Sequence, residues 1–193
     1  MPAELWRPSL DLALHRNRSR PESRLVQLAT VRPDSRPAIR TVVFRGFLDG
    51  SHKLLFATDV RSAKRAEIEA NPHGAICWYF HGTREQFRLS GLVSMVDAET
   101  AEQDLREVRT DLWRQLSDHS RVGYTWPTPG EPRHPSVRYP STPPDLSQPA
   151  DAFGLMILAP TEVDHLELHG SPQHRWKYEA DARGRWSGRE VNP

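Results

Sequence analysis

The sequence predicts a mainly β fold, an antiparallel β-barrel decorated with helices, and three observations carry that reading. Short runs that alternate apolar and polar residues, or are continuously apolar, follow one another with turn residues between them, as in a meander. One strong helical repeat interrupts them: "DAETAEQDLREVRTDLWRQL" (97–116) sets Ala101, Leu105, Val108, Leu112 and Leu116 on a single stripe. The 17 prolines concentrate in "WPTPGEPRHPSVRYPSTPPDLSQP" (126–149), too poor in backbone donors for a helix or a central strand.

Taken in order, residues 4–18 place Leu5, Leu10, Leu12 and Leu14 at the spacing of an amphipathic helix, entered afresh at Ser9 and closed before Pro21. This N-terminal helix is expected to lie as a lid on the sheet. "RLVQLATV" (24–31) alternates and runs into the turn "RPDSRP"; "AIRTVVFRGFL" (38–48) is its hairpin partner, and "KLLFATD" (53–59) is a third strand. A short helix follows over Ser62–Ala70, with Ser62 as N-cap, Ala63, Ala66 and Ile68 facing inward, and Asn71-Pro72 as the stop. "GAICWYF" (74–80) and "REQFRLSGLVSMV" (84–96) are strands joined by the tight turn "HGT". Beyond the long helix, the Pro-rich stretch is a surface excursion, either a plain loop or a lid or dimer-contact arm. "AFGLMILAP" (152–160) and "EVDHLELHG" (162–170) read as two strands, and residues 174–193 as a terminal hairpin with Ala-Arg-Gly near its tip.

A chain of 193 residues fits one domain spanning 1–193. Lys and Arg total 26 against 25 Asp and Glu, so no global field gathers nucleic acid or an anionic membrane, and neither is expected as a partner. Cys77 stands alone, which leaves no intramolecular disulfide and no multi-Cys zinc site, and suits a cytoplasmic protein. The first residues lack the apolar core of a signal peptide, and no window approaches the ~20 apolar residues that span a bilayer. The histidines are scattered. His165 and His169 recur four apart, but along a strand that interval does not clamp a metal, and no metal is expected.

The most informative stretch is "FATDVRSAKRAEIEANP" (56–72), which gathers Thr58, Arg61, Ser62, Lys64 and Arg65 where a strand gives way to a helix. The first amides of a helix lack internal partners and carry partial positive charge, so hydroxyls and an ammonium beside them compose a phosphate pocket; the alternative is a solvated, capped helix start. Arg40 and Arg45 lie five apart on one strand, point to opposite faces, and serve one pocket only if a bulge intervenes. Gln86 and Arg88 lie two apart and share a face.

In order and spacing, "RTVVFRGF", "LFATDVRSAKRAEIEANP" and "WYF" with "REQFRLSG" resemble the pyridoxamine 5'-phosphate oxidase family, the FMN-binding split barrels. The likeness covers about residues 24–96 well and the C-terminus more loosely, and within the superfamily it is nearest a cyanobacterial-type subgroup of FMN-binding domains. The resemblance implies a homodimer with an FMN in each of two clefts at the subunit interface. It also implies cofactor-binding roles for Arg40, for Arg45 where the oxidases carry lysine, for Ala57 and Thr58 along the cofactor, for Ser62 and Lys64 at its phosphate, for Gln86 at the ring, and for Arg175 across the dimer. Ala63 replaces a family arginine, a loss that Arg61 would have to make good. His169 falls near where the oxidases place a flavin-adjacent tryptophan.

The substrate elements of the oxidases are mostly absent from "LSDHSRVG" (116–123), where Ser120 alone survives, and from "GSPQHR" (170–175). A B6-vitamer phosphate is therefore not carried over as substrate. Three readings stay open: an FMN-dependent oxidoreductase with a different substrate; a non-catalytic flavin-binding or dimeric interaction module; and a split barrel that exchanges FMN for a deazaflavin or haem.

Overall fold

The computed structural model describes residues 6–193, so the expectations for residues 4 and 5, Leu5 included, lie outside the described residues. In chain order the structure runs α1 (Trp6–Arg16), β1 (Leu25–Val31), β2 (Pro37–Phe47), β3 (Leu54–Asp59), α2 (Lys64–Ala70), β4 (His73–Phe80) and β5 (Glu85–Val96). It continues through α3 (Gln103–Gln115), α4 (Asp118–Val122), β6 (Phe153–Glu167), β7 (His174–Ala180) and β8 (Trp186–Val191). The strands form one antiparallel sheet in the order β3-β2-β1-β4-β5-β6-β7-β8, and β3 also pairs with β6. That extra pairing closes six strands into a barrel and leaves β7 and β8 as a flap. The barrel expected from the succession of strands is therefore the fold adopted, and the short helix crosses between the third and fourth strands as expected.

The closing strand departs from expectation. Residues 152–160 and 162–170 are not two strands: β6 runs unbroken from Phe153 to Glu167, past Pro160. The register explains how. Gly91 pairs with Pro160 and Ser90 with Glu162, so Thr161 is an extra residue in a bulge that absorbs the missing proline donor. β6 can then serve two partners, since Phe153–Leu158 pairs with β3 and Glu162–Glu167 with β7 while β5 runs beside both halves. Gly91 is required at this crossing. A Cβ there would stand 2.0 Å from the Ala159 carbonyl oxygen and 2.7 Å from the Pro160 Cα, both backbone atoms that cannot swing aside. Gly91→Ala is expected to destabilise the fold by at least about 2 kcal/mol, read as a shift in the urea midpoint.

Two apolar clusters flank the barrel wall. The interior is filled by Val26, Leu28, Phe44, Phe56, Ile76, Trp78, Phe87 and Met156, among others, and is closed by Trp6, Leu10 and Ala13 of α1. Those three positions, spaced i, i+4 and i+7, are the buried stripe of α1, whereas Leu12 is exposed. The lid is pinned at both ends. The Trp6 ring packs, tilted, against His52 and Trp186 at centroid distances of 5.2 Å and 5.3 Å. Asn17 donates to Ala13 O and accepts from Gly82 N in the β4–β5 turn. The second cluster lies outside the wall, where Leu112, Trp113 and Leu116 cover Leu55, Phe153, Leu155 and Ile157. β3 is therefore buried on both faces, which is why it reads as a continuous apolar run.

Two helix starts shift for local reasons, and one short helix is added. The long helix begins at Gln103 rather than Asp97, because the Asp97 carboxylate accepts Glu99 N, and Thr100 Oγ1 accepts Asp97 N, in a turn that precedes it. Ala101 is consequently exposed. α2 begins at Lys64 without a side-chain cap: Ser62 Oγ instead donates to Asp59 O. Within α2 the inward face is Glu67 and Ile68, with Ala63 and Ala66 exposed. Residues 118–122, not anticipated as helical, form α4, whose N-cap Ser117 accepts from Ser120 N. Residues 126–149 contain no helix or strand, and Trp126 Nε1 to Pro140 O and Trp113 Nε1 to Asp145 O hold the excursion down.

Candidate functional site

The junction between β3 and α2 sits against the end of β1 and β2, and four elements meet there. Alternation along β2 points Ala38, Arg40 and Val42 inward, so Arg40 enters the barrel's end beneath α2. Its guanidinium donates to Thr30 Oγ1 on β1 and, at 2.6 Å, to Glu67 Oε2 on α2. Thr30 in turn donates to the same carboxylate oxygen at 2.6 Å. Glu67 is buried, and this three-membered network is what makes its charge tolerable there.

Lys64 adds a second cation beside Arg40. It has no hydrogen bond or ion pair among the described residues, and burial, followed by the Arg40 charge, pushes its pKa below the usual lysine range. A hydroxyl is similarly uncommitted: Thr58 is buried, and its Oγ1 has no partner. Ala57, its neighbour, faces the other way and packs against the α3 cluster. The junction therefore presents an ammonium, a guanidinium edge and a hydroxyl with more donors than acceptors, which is the composition of an anion site.

Arg61 has a different engagement. Its Nε and Nη2 grip the Asp59 carboxylate at 3.0 and 2.6 Å, and its Nη1 donates to Trp126 O at 2.9 Å. The Asp59 hydrogen bond raises the Arg61 pKa. Arg61 thus ties the junction to the Pro-rich excursion, and its guanidinium is directed to Asp59 and Trp126 rather than to the place left by Ala63.

Arg45 occupies a bulge. Phe44 pairs with Phe56 and Gly46 with Leu55, leaving Arg45 as the extra residue. The bulge does not deliver Arg45 to Arg40; it turns Arg45 toward a cavity of about 210 Å³ shared with Val108, Asp111, Leu112 and Gln115 of α3. The Nε of Arg45 is buried without a partner, and burial lowers its pKa. Tyr124 lies within electrostatic range, its own pKa pushed up to about 12 by burial.

Gln86 and Arg175 come together on the outward face of the sheet, flanking the same residue: Leu166 pairs with Gln86 on one side and Arg175 on the other. Gln86 Oε1 accepts from Cys77 Sγ at 3.8 Å, and burial raises the Cys77 pKa, so the thiol is a quiet neighbour. Arg175 is aimed by Asp164, to which its Nε and Nη2 donate at 3.0 and 2.8 Å. Arg88, opposite Asp164 in register, donates to the same carboxylate, and the two guanidinium hydrogen bonds outweigh burial to hold its pKa low. A cavity of about 420 Å³ opens beside this row, lined by Gln27, Ile39, Cys77, Arg88, Asp164 and Lys177 among others.

The predicted residues therefore divide. Arg40, Thr58, Ser62 and Lys64 share the junction, with Arg61 at its edge; Gln86 and Arg175 share the outer face; Arg45 faces α3. Sequence reasoning missed Thr30, Glu67 and Asp164, which orient the arginines. Glu67 carried one usable signal, its position three residues after Lys64 on the same helix, while Asp164 becomes visible only once the β5–β6 register is known.

A model of the pyridoxamine 5'-phosphate oxidase FMN-binding domain matches residues 3–97. The chain is 36% identical over 191 residues to pyridoxine/pyridoxamine 5'-phosphate oxidase 2 of Arabidopsis thaliana, covering 97% of this chain and 96% of that one. Among solved structures, a pyridoxamine 5'-phosphate oxidase-related FMN-binding protein of Nostoc punctiforme superposes with a TM-score of 0.91 at 47% identity, covering 98% of this chain and 97% of its own. PhzG of Burkholderia lata, at 20% identity and a TM-score of 0.75, covering all of this chain and 94% of its own, shares the fold. Matched over nearly its whole length in sequence and in structure, the chain belongs to the pyridoxamine 5'-phosphate oxidase family of FMN-binding split barrels.

Proposed function

We propose that the protein is an FMN-dependent oxidoreductase that works as a homodimer on a substrate other than a B6-vitamer phosphate. The observation that carries the cofactor assignment is the half-buried, unpaired Lys64 beside Arg40, with the unpartnered Thr58 hydroxyl in the same junction. Partly desolvated donors without acceptors fit the phosphate of FMN. When bound, FMN supplies the redox chemistry, accepting or giving two electrons with a proton.

The chain's own residues bind and orient. Lys64, Arg40 and Ser62 hold the phosphate, Thr58 lines the cofactor, and Gln86 offers its amide to the ring, while Ala57 packs under α3 and is left out of the site. Arg175, held rigid by Asp164, contributes a fixed positive charge. Because Arg40 faces into the barrel end while Gln86 and Arg175 face outward, a site using all of them is most simply assembled from two copies of the chain. Ile39, 72% exposed on that outward face, would be covered in such an assembly.

The substrate reading rests on the segment after α3. Arg121, the one arginine of α4, is already hydrogen-bonded to Leu116 O and Asp118, so it is not free to receive a substrate phosphate. The test is to denature the purified protein and identify the released chromophore by mass and absorbance. FMN is the expected result; colourless protein that does not take up added FMN overturns the reading. With FMN present, pyridoxamine 5'-phosphate under oxygen should give no appreciable turnover, and brisk hydrogen peroxide release would overturn the substrate argument.

A further inference from the structure

β5 starts, six residues before the Gly91 crossing, with a buried carboxylate. Glu85 pairs in register with Glu167 on β6, so two acidic side chains lie directly across from each other, an arrangement that is unfavourable unless something positive lies between. The His165 imidazole lies beside them. Its Nε2 stands 3.0 Å from Glu85 Oε2, both residues are buried, and Phe87 stacks on the imidazole at 4.0 Å with an interplanar angle of 11°.

Glu85, His165 and Glu167 each offer one ligand atom, and these atoms lie within 4.8 Å of one another. A fourth donor is adjacent: His169 Nε2 is 3.7 Å from Glu167 Oε2. The backbone fastens this corner, since Leu168 N donates to Arg84 O at 2.9 Å and so ties the segment bearing His169 to the turn before Glu85. The four-residue interval between the histidines clamps nothing along a straight strand. It becomes a chelating arrangement because β6 ends at Glu167 and β5 brings Glu85 across.

We propose that Glu85, His165, Glu167 and His169 bind a divalent first-row transition ion of the Zn²⁺ type. Ligand atoms bonded at about 2.0–2.2 Å around a tetrahedral ion stand about 3.3 Å apart; the 3.0 Å and 3.7 Å pairs are near that spacing, the Glu85, His165 and Glu167 atoms close by a modest contraction, and the exposed His169 side chain swings in to complete the shell. Mixed imidazole and carboxylate donors favour such an ion over Mg²⁺ or Ca²⁺, which take all-oxygen shells. His165, fixed by Phe87, is the rigid ligand, and the half-exposed His169 gives access from solvent. The ion cross-links β5, β6 and the chain entering β7, and it places two positive charges between the facing carboxylates. Its role is structural and separate from the cofactor junction.

The test uses the cofactor-loaded protein after chelator treatment, titrated with Zn²⁺ by calorimetry and by thermal melting. One ion per chain and a raised melting temperature are expected. Glu167→Gln and His169→Ala, both at the rim, should each weaken binding at least tenfold while leaving the circular dichroism unchanged. No uptake, or equal uptake by wild type and both variants through exposed histidines elsewhere, overturns the site. Equally tight binding of Mg²⁺ overturns the ion type.

Discussion

Lys64→Ala is expected to leave the barrel folded and to weaken FMN binding by about 30- to 1,000-fold, enough for the cofactor to be lost during purification. The range follows from removing one charge-assisted contact in a partly desolvated site, about 2–4 kcal/mol. The same reasoning fixes what happens without cofactor. Burial and the neighbouring Arg40 disfavour the Lys64 ammonium, so its folded pKa lies below its unfolded value. The folded chain then binds fewer protons than the unfolded chain over the interval between the two values. Stability of the cofactor-free protein therefore rises as pH climbs through the lowered pKa, and the variant lacks that rise. FMN affinity runs the opposite way: the phosphate prefers the ammonium, so binding weakens as pH rises through the pKa of the cofactor-free protein. Quenching of flavin fluorescence at several pH values measures the affinity, and urea midpoints of the cofactor-free protein over the same pH values measure the stability. An affinity within twofold of wild type, with an unchanged pH profile, would show that the phosphate binds elsewhere.

Why Lys64 could be singled out as a candidate from sequence and Glu67 could not is a matter of which forces are local. Strand alternation, turn residues and the proline-rich gap are written in neighbouring positions, and β1 through β5 and the β7–β8 hairpin fall where those patterns put them. Pro160 misled because a missing donor usually ends a central strand. Here Thr161 bulges against Gly91, a pairing between residues some 70 positions apart that no local pattern encodes. On α2, helical arithmetic assigned Ala63 and Ala66 to the core, yet Glu67 faces inward because Arg40 and Thr30 wait for it on two other strands. The site was legible as residue types and partly as groups. What remained hidden were the carboxylates that aim the cations: Glu67 for Arg40, Asp59 for Arg61, and Asp164 for Arg175. An acidic residue among basic ones reads as charge balance until the register shows whose partner it is.

That hidden partnership gives Arg40 a structural role beyond its proposed cofactor contact. Arg40→Ala removes the positive member of a buried pair and leaves Glu67, 5% exposed, with only Thr30 to satisfy it. Stranding a buried charge in this way costs about 3–5 kcal/mol, and because the Arg40 side chain is 23% exposed the lower end is expected. The loss should appear in the cofactor-free protein, as a lowered urea midpoint, before any flavin is added. Replacing the stranded charge as well, in an Arg40→Ala, Glu67→Gln double variant, should recover at least half of that stability, because a neutral amide can still accept from Thr30. It should not recover FMN binding, which needs the guanidinium. The two measurements thus separate the two roles. If cofactor-free Arg40→Ala is as stable as wild type, the Glu67 network carries no stability. If the double variant regains FMN along with its fold, Arg40 acts on the cofactor only by holding α2 in place.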